Sequence, residues 1–319
     1  MIPVVYDIAL TVPFRGLTRR TGVLFRGRAG WAEWSPFPEY PDREAAVWLR
    51  AAREAADRGF PDAVRDVVPV NAIIPALGPD AAAERARAAG CRTAKVKVAQ
   101  PGQGLDEDVA RVAAVREALG ASARIRIDAN GAWSVEGALE ALRELSGYGL
   151  EYAEQPCATV EELAELRRRL AAADVPVPIA ADESIRRAED PFRVRDLAAA
   201  DLAVLKVQPL GGVRRCLAIA EELGMPVVVS SAVETSVGLG AGVALAACLP
   251  ELPFDCGLET GRLLSADVAA HPLVPVAGEL GIAPPSVDEA RLEAVRADEP
   301  TTSWWLERLS RVSRLVGEG

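Results

Sequence analysis

From Asn71 onward the chain repeats one pattern: a short apolar or alternating run, then a longer stretch whose apolar positions return every three or four residues. The runs are NAIIPA, TAKVKVA, RIRIDAN, LEYAEQP, PIAADES, LAVLKVQP, PVVVSSAVE and FDCGLE, and stretches such as LDEDVARVAAVREALG and VEELAELRRRLAAA lie between them. Runs of this length read as strands, and the longer periodicity as amphipathic helices. Eight strands alternating with helices predict a parallel (β/α) barrel over residues 71–284.

The beginning of the chain differs. VVYDIALTVPF, TGVLFRG and AGWAEWSPF read as three antiparallel strands, and REAAVWLRAAREAADRG as a helix, so residues 1–70 are expected to form an α+β capping domain. Residues 285–319, with ARLEAVRA and the Trp304–Trp305 pair, fit no barrel unit and are expected to pack back on that cap. The prediction is an α/β fold, a barrel of modified TIM type beneath an N-terminal cap that the C-terminal segment completes, with a site between them.

One strand does not fit a plain apolar pattern. In TAKVKVA, Lys95 and Lys97 share a face, and Ala94, Val96 and Val98 point the other way. Lysines on an exposed edge strand would explain this, but the neighbouring strands argue otherwise. Asp128 in RIDAN, Glu154 in YAEQP, Asp182 in AADES, Lys206 in VLKVQP and Ser230–Ser231 in VVVSSA recur one strand–helix unit apart, each near a strand's C-terminal end. Such positions converge on the mouth of a barrel, where barrel enzymes keep their chemistry, and a closed barrel has no free edge.

Asp128, Glu154 and Asp182 on adjacent strands would repel one another unless a cation lay among them. An all-oxygen donor set without His or Cys selects Mg²⁺, with Mn²⁺ as a substitute, over zinc. Removing one of these carboxylates is then expected to raise metal-free stability by relieving repulsion. Lys95 and the metal are expected to push the pKa of Lys97 down, with burial adding to the effect, toward the range of a general base.

Composition narrows the partners. A net charge of −10 argues against nucleic acid and anionic membranes and favours a small-molecule carboxylate substrate. The five cysteines form no C-x-x-C pair, MIPVVYDIAL has no signal-peptide pattern and no apolar run spans a membrane, so a cytoplasmic protein is expected. His271, the one histidine, precedes a proline in a predicted loop, which leaves acid–base work to other side chains. Gly211–Gly212 reads as a tight turn rather than a phosphate cradle, and Cys157 and Trp133 as packing residues. Nothing in the sequence sets an oligomeric state.

Taken together, K-x-K at Lys95–Lys97, D-x-N at Asp128–Asn130, E-Q-P at Glu154–Pro156, D-E-S at Asp182–Ser184 and K-V-x-P-x-G-G at Lys206–Gly212 resemble the muconate-lactonizing subgroup of the enolase superfamily over essentially the whole chain. The resemblance implies Asp128, Glu154 and Asp182 as Mg²⁺ ligands, and Lys97 as the group that removes a proton α to a carboxylate and returns it to a departing hydroxyl. Lys206 would stabilise the anionic intermediate from the opposite face, and Lys95 would contact the carboxylate. Asn130, Ser230, Ser231 and Gly257 are weaker candidates for substrate contact.

Within the subgroup, the short chain, the compressed N-terminal domain and S-S-A-V-E-T-S most resemble the members that act in menaquinone biosynthesis, and this resemblance implies a hydro-lyase step, dehydration of 2-succinyl-6-hydroxy-2,4-cyclohexadiene-1-carboxylate to 2-succinylbenzoate. N-succinylamino acid racemization, which uses both lysines in turn, is the alternative inside the superfamily. Dipeptide epimerization is disfavoured, because Gly257 in DCGLET stands where that family's D-x-D places its second aspartate. Outside the superfamily, a Schiff-base lysine aldolase would need one barrel lysine but no trio of carboxylates. Since the barrel motifs serve many reactions, the turn around Pro13–Thr21 and the segment Trp34–Tyr40 are expected to close over the substrate and set specificity.

Overall fold

The computed structural model describes residues 3–186 and 191–317. At its N-terminal end β1 (Val4–Phe14), β2 (Leu17–Arg26) and β3 (Trp31–Trp34) pair antiparallel in that order. The helix Asp42–Arg58 follows, and its buried Ala45, Trp48, Leu49 and Ala52 fall at the three- and four-residue spacing that makes one face apolar. Against this face lies the C-terminal helix Glu299–Gly317, which contributes Trp305 and Val312 to the same core. Trp305 meets Trp34 edge to face at 5.4 Å. Both indoles are essentially inaccessible, and burying an aromatic of this size stabilises the fold by about 1.5–3 kcal/mol.

β4 (Val67–Pro69) leads into the barrel. There β5 (Ala72–Ile74), β6 (Thr93–Lys97), β7 (Arg124–Asp128), β8 (Leu150–Glu154), β9 (Ile179–Ala181), β10 (Leu202–Leu205) and β11 (Val227–Val229) bond in sequence order as one parallel sheet of seven strands. The eighth predicted strand, FDCGLE, is reduced to single bridges: Cys256 with Val70 on one side, Gly257 with Ser230 on the other. These still close the sheet, with Asn71 N donating to Cys256 O at 2.9 Å and Gly257 N to Val229 O at 2.8 Å. The segment is short because Asp255 is held by Arg92 and Thr93 at its start, and the chain turns into the 3-10 segment Thr260–Leu263 beyond it. A short β12 (Glu279–Gly281) pairs back on β4.

Alternation along the strands sorts the side chains into two regions. Ala94, Val96, Ile125, Ile127, Ile179, Ala203 and Leu205 point outward and build the main core with the helices. Inside the barrel, Arg126 plugs the lower end, its guanidinium 4.8 Å from the Tyr152 ring and bonded to Asn71 Oδ1 at 3.0 Å. Above it lie Tyr152, Ala180, Leu202, Val204 and Val228. The next inward step on each strand is the charged rim described below.

The seam between cap and barrel has an apolar part, where Tyr6, Ile8 and Leu24 meet Ile73, Val233 and Val237, and a polar part centred on Glu33. That buried carboxylate accepts from Tyr6 Oη and Ser35 Oγ, both at 2.7 Å, and from Thr235 N and Gly238 N, both at 3.1 Å. Among the described residues no helix is long and apolar enough to cross a membrane.

Candidate active site

β6 runs between β5 and β7, so its lysines are not edge protection. Sheet register sets Lys97 beside Asp128, and Asp128 beside Glu154. Asp182 and Lys206 follow the last residues of β9 and β10. Lys95, Asp128, Glu154, Asp182 and Lys206 are all buried, at 9, 5, 1, 0 and 7% exposure. Buried charges persist only when paired, and these are: Lys95 Nζ donates to Glu154 Oε1 at 2.8 Å and lies 3.4 Å from Asp128 Oδ2. Lys206 Nζ donates to Asp182 Oδ2 at 2.6 Å. Lys97 Nζ is 3.5 Å from Asp128 Oδ1 but has no hydrogen-bond partner.

The pKa directions follow from this pairing. Burial is the largest influence on Lys97 and lowers its pKa; Asp128 opposes the shift and Lys95 adds to it. The expected direction holds, but burial outweighs the lysine pair that the sequence pointed to. Burial also works against the Lys95 charge, yet Glu154 and Asp128 overcome it and raise that pKa. Asp128 and Asp182 are pulled down despite burial, Asp128 to about 2 by Lys97 and Lys95, and Asp182 by Arg186 and Lys206. Glu154 goes the other way: burial, reinforced by Asp128 and Asp182 and countered by Lys95, lifts it to about 7.

Several participants escaped the sequence reading. Arg186 donates to Asp182 Oδ1 at 2.9 Å, to Tyr40 Oη of the cap at 2.8 Å and to Glu183. Its only sequence signal is its place four residues after Asp182, which matters only if a helical turn follows β9. Gln155 accepts from Asp182 N at 2.9 Å and Ser184 N at 3.1 Å, which fixes the end of β9. Val233, left-handed at φ 61° although β-branched, is held by Arg20 Nε bonded to its carbonyl at 2.9 Å.

Of the weaker candidates, Asn130, Ser230 and Ser231 line the same cleft as Lys95, Asp128 and Lys206. Asn130 Nδ2 reaches Glu183 Oε1 at 3.3 Å, and Ser231 Oγ bonds Gly257 O at 2.6 Å. Gly257 itself does not line the cleft; a Cβ there would stand 2.6 Å from Ser230 Oγ, so close approach requires glycine. Cys157 is fully buried with its thiol pushed up to about 12, chiefly by burial, and is no nucleophile. His271 is exposed in a loop.

Among the described residues no trio of acidic, His or Cys side chains stands as a ready-made metal cage. The carboxylates are instead turned to the protein's own cations, Glu154 to Lys95 and Asp182 to Lys206 and Arg186. Their chemistry nevertheless fits a hard divalent ion: three buried carboxylates on neighbouring strands, with no softer donor nearby. Two buried polar atoms here, Lys97 Nζ and Glu183 Oε2, lack any hydrogen-bond partner, which marks the cleft as built around a polar group.

A closed α/β barrel under an α+β cap, with carboxylates and lysines alternating around its mouth, defines an enzyme of the enolase type. The family model for enolase N-terminal domain-like sequences matches residues 5–56, and that for enolase C-terminal domain-like sequences matches residues 79–297. The o-succinylbenzoate synthase of Thermobifida fusca is 61% identical over 96% of this chain and 94% of its own length; that of Mycolicibacterium smegmatis is 54% identical over 98% and 95%. In structure, the muconate lactonizing enzyme of Pseudomonas fluorescens superposes with a TM-score of 0.78 at 26% identity, covering 92% of this chain and 98% of that one. The chain belongs to the enolase superfamily, and within it to the o-succinylbenzoate synthase family. The superfamily is divalent-metal dependent, and membership sets aside the Schiff-base aldolase.

Proposed function

We propose that the chain is a carbon–oxygen lyase that dehydrates 2-succinyl-6-hydroxy-2,4-cyclohexadiene-1-carboxylate to 2-succinylbenzoate, the hydro-lyase step of menaquinone biosynthesis. The register of Lys97, Asp128 and Glu154 across three adjacent strands, with Lys206 bonded to Asp182 just past the end of β10, supports the chemistry, and the observation that carries the substrate is the 61% identity to an o-succinylbenzoate synthase over 96% of the chain. Residues 71–284 supply the chemistry, and residues 1–70 with 285–319 form the cap. Asp128, Glu154 and Asp182 would hold Mg²⁺, or Mn²⁺ in its place. When bound, the ion supplies positive charge that stabilises carboxylate-derived anions.

The remaining work falls to the lysines. Lys97, with its lowered pKa and no hydrogen-bond partner, takes the proton α to the ring carboxylate, and its Nζ gives that proton to the hydroxyl leaving from the same face. The C–H electron pair becomes the new ring double bond, the C–O bond breaks and water departs, which leaves the ring aromatic. Lys95 holds the ring carboxylate side of the cleft positive. Lys206 keeps a fixed positive charge on the opposite face, matched to the intermediate more than to the substrate.

The test is to assay the purified chain with the cyclohexadiene substrate before and after chelation and after restoring Mg²⁺. Turnover that disappears on chelation and returns with Mg²⁺ is expected. Full turnover after chelation would refute the metal assignment, and no turnover in any state would refute the substrate.

A further inference from the structure

We infer that Arg15, at the tip of the β1–β2 hairpin, recognises the second carboxylate of the substrate, the one at the end of its succinyl arm; this rests on the function proposed above. Phe14 pairs with Leu17, so Arg15 and Gly16 alone make the turn, with φ of 52° and 74°. Two left-handed residues define a primed turn, whose first position favours Asn, Asp or Gly. A long side chain gains nothing conformationally there, and backbone strain held over a cleft is a mark of function.

What Arg15 reaches fits that role. It borders the same cleft as Lys95, Lys206 and Ser231. Its guanidinium lies 4.8 Å from the Phe37 ring centroid; Arg20 lies 4.7 Å from the same ring. Arg20 is buried, with its donors committed to the carbonyls of Val233 and Ser35, whereas Arg15 is exposed. Stacking on Phe37 therefore orients a guanidinium whose N–H groups remain free.

Charge accounting points the same way. The chain carries 46 acidic against 36 basic residues, yet Arg15 makes no ion pair with any described residue, although Lys95 and Lys206 in the same cleft are both bound to carboxylates. The substrate carries two carboxylates, one on the ring and one at the far end of the neighbouring succinyl arm. The buried lysines account for the ring carboxylate and the proton transfer, and among the described residues that border the cleft Arg15 is the one cation without a carboxylate partner. A planar guanidinium binds a carboxylate through two parallel N–H bonds, which an ammonium cannot do.

The test compares two ligands and two variants in the Mg²⁺-loaded enzyme. Dissociation constants are measured by calorimetry for 2-succinylbenzoate and for 2-butyrylbenzoate, which lacks the remote carboxylate, alongside kcat, KM and thermal midpoint. Arg15→Asn suits the turn, so its midpoint should hold or rise. Its affinity for 2-succinylbenzoate should drop about 10- to 100-fold, with 2-butyrylbenzoate unaffected and the turnover loss carried by KM. Arg15→Lys should recover part of the preference.

If Arg15→Asn weakens both ligands equally, or still prefers 2-succinylbenzoate as the wild type does, the inference is wrong while the proposed function stands. If the wild type neither dehydrates the substrate nor prefers 2-succinylbenzoate, the proposed function and this inference fall together.

Discussion

Asp182→Asn and Glu154→Gln should move the stability of the metal-free protein in opposite directions, although both remove one carboxylate from the same rim. Asp182 is the carboxylate to which Lys206 donates, and it shares Arg186 with Glu183 and Tyr40. Arg186 and Lys206 together outweigh its burial, so its pKa lies below the usual carboxylate range and its charge stabilises the fold. Asparagine would leave the Lys206 ammonium buried without its counter-charge. Breaking a buried pair from one side costs about 3–5 kcal/mol. Relief of repulsion on Asp128 and Glu154 and deprotonation of Lys206 offset part of this, so a loss of about 2–4 kcal/mol is expected.

Glu154 is the reverse case. Burial, reinforced by Asp128 and Asp182, lifts its pKa to about 7, so its charge is a cost near neutral pH. Glutamine keeps an oxygen for Lys95, which still has Asp128 at 3.4 Å, and stability should hold or rise slightly. The expectation that losing a carboxylate relieves repulsion thus applies to Glu154 but not to Asp182. Urea unfolding of chelated protein at pH 7.5, read as midpoints at equal m-value, decides it. Midpoints shifted the same way by similar amounts would show that the carboxylates are one undifferentiated charge cluster.

Lys97→Arg should abolish dehydration, because guanidinium scarcely deprotonates and removal of a proton-transfer group costs about 10²–10⁴-fold or more. Lys206→Arg keeps the charge and should retain measurable dehydration, about 10- to 100-fold down from the poorer fit in a buried position; equal loss in both would show that Lys206 also moves protons. Any racemization of an N-succinylamino acid, which needs a proton carrier on each face, should vanish in either variant. At the seam, Glu234 has its pKa raised by burial first and Glu33 second, against Ala232 N and Arg20. A raised folded pKa gives stability that is present below the unfolded value of about 4.5 and lost as pH climbs through the folded one. Glu234→Gln should therefore shrink the drop in urea midpoint between pH 5 and pH 8, and an unchanged drop would contradict the assignment.

The barrel was legible because its information is periodic. Alternation places Ala94, Val96, Ile125 and Ile127 on the outer face, and the same alternation puts Lys95, Asp128, Glu154 and Lys206 on the inner one. The eighth strand shows the limit of that signal. FDCGLE has strand-like residues, but Asp255 is drawn to Arg92 and Thr93, and Gly257 is pressed against Ser230. Both contacts join residues distant in sequence, and neither leaves a trace in a local window.

The site was legible only as far as it follows the strands. Arg186, Gln155 and Glu183 act from the turns after β8 and β9, where no fixed period relates a residue to the face it serves. Arg186 is the instructive case: nothing in a local window marks it, yet the side chain is 1% exposed and divides its donors among Asp182, Glu183 and the cap. Burial also reversed the ranking of causes at Lys97, because a neighbouring lysine can be counted in a sequence and the depth of a cleft cannot. Arg15 combines both limits. Its residue type argues against the turn that its neighbours Phe14 and Leu17 impose, and the conflict becomes visible only once the backbone angle is known. Such a conflict between local preference and imposed geometry survives where something outside the backbone favours that side chain, and the cleft that Arg15 borders together with Lys95 and Lys206 supplies such a reason.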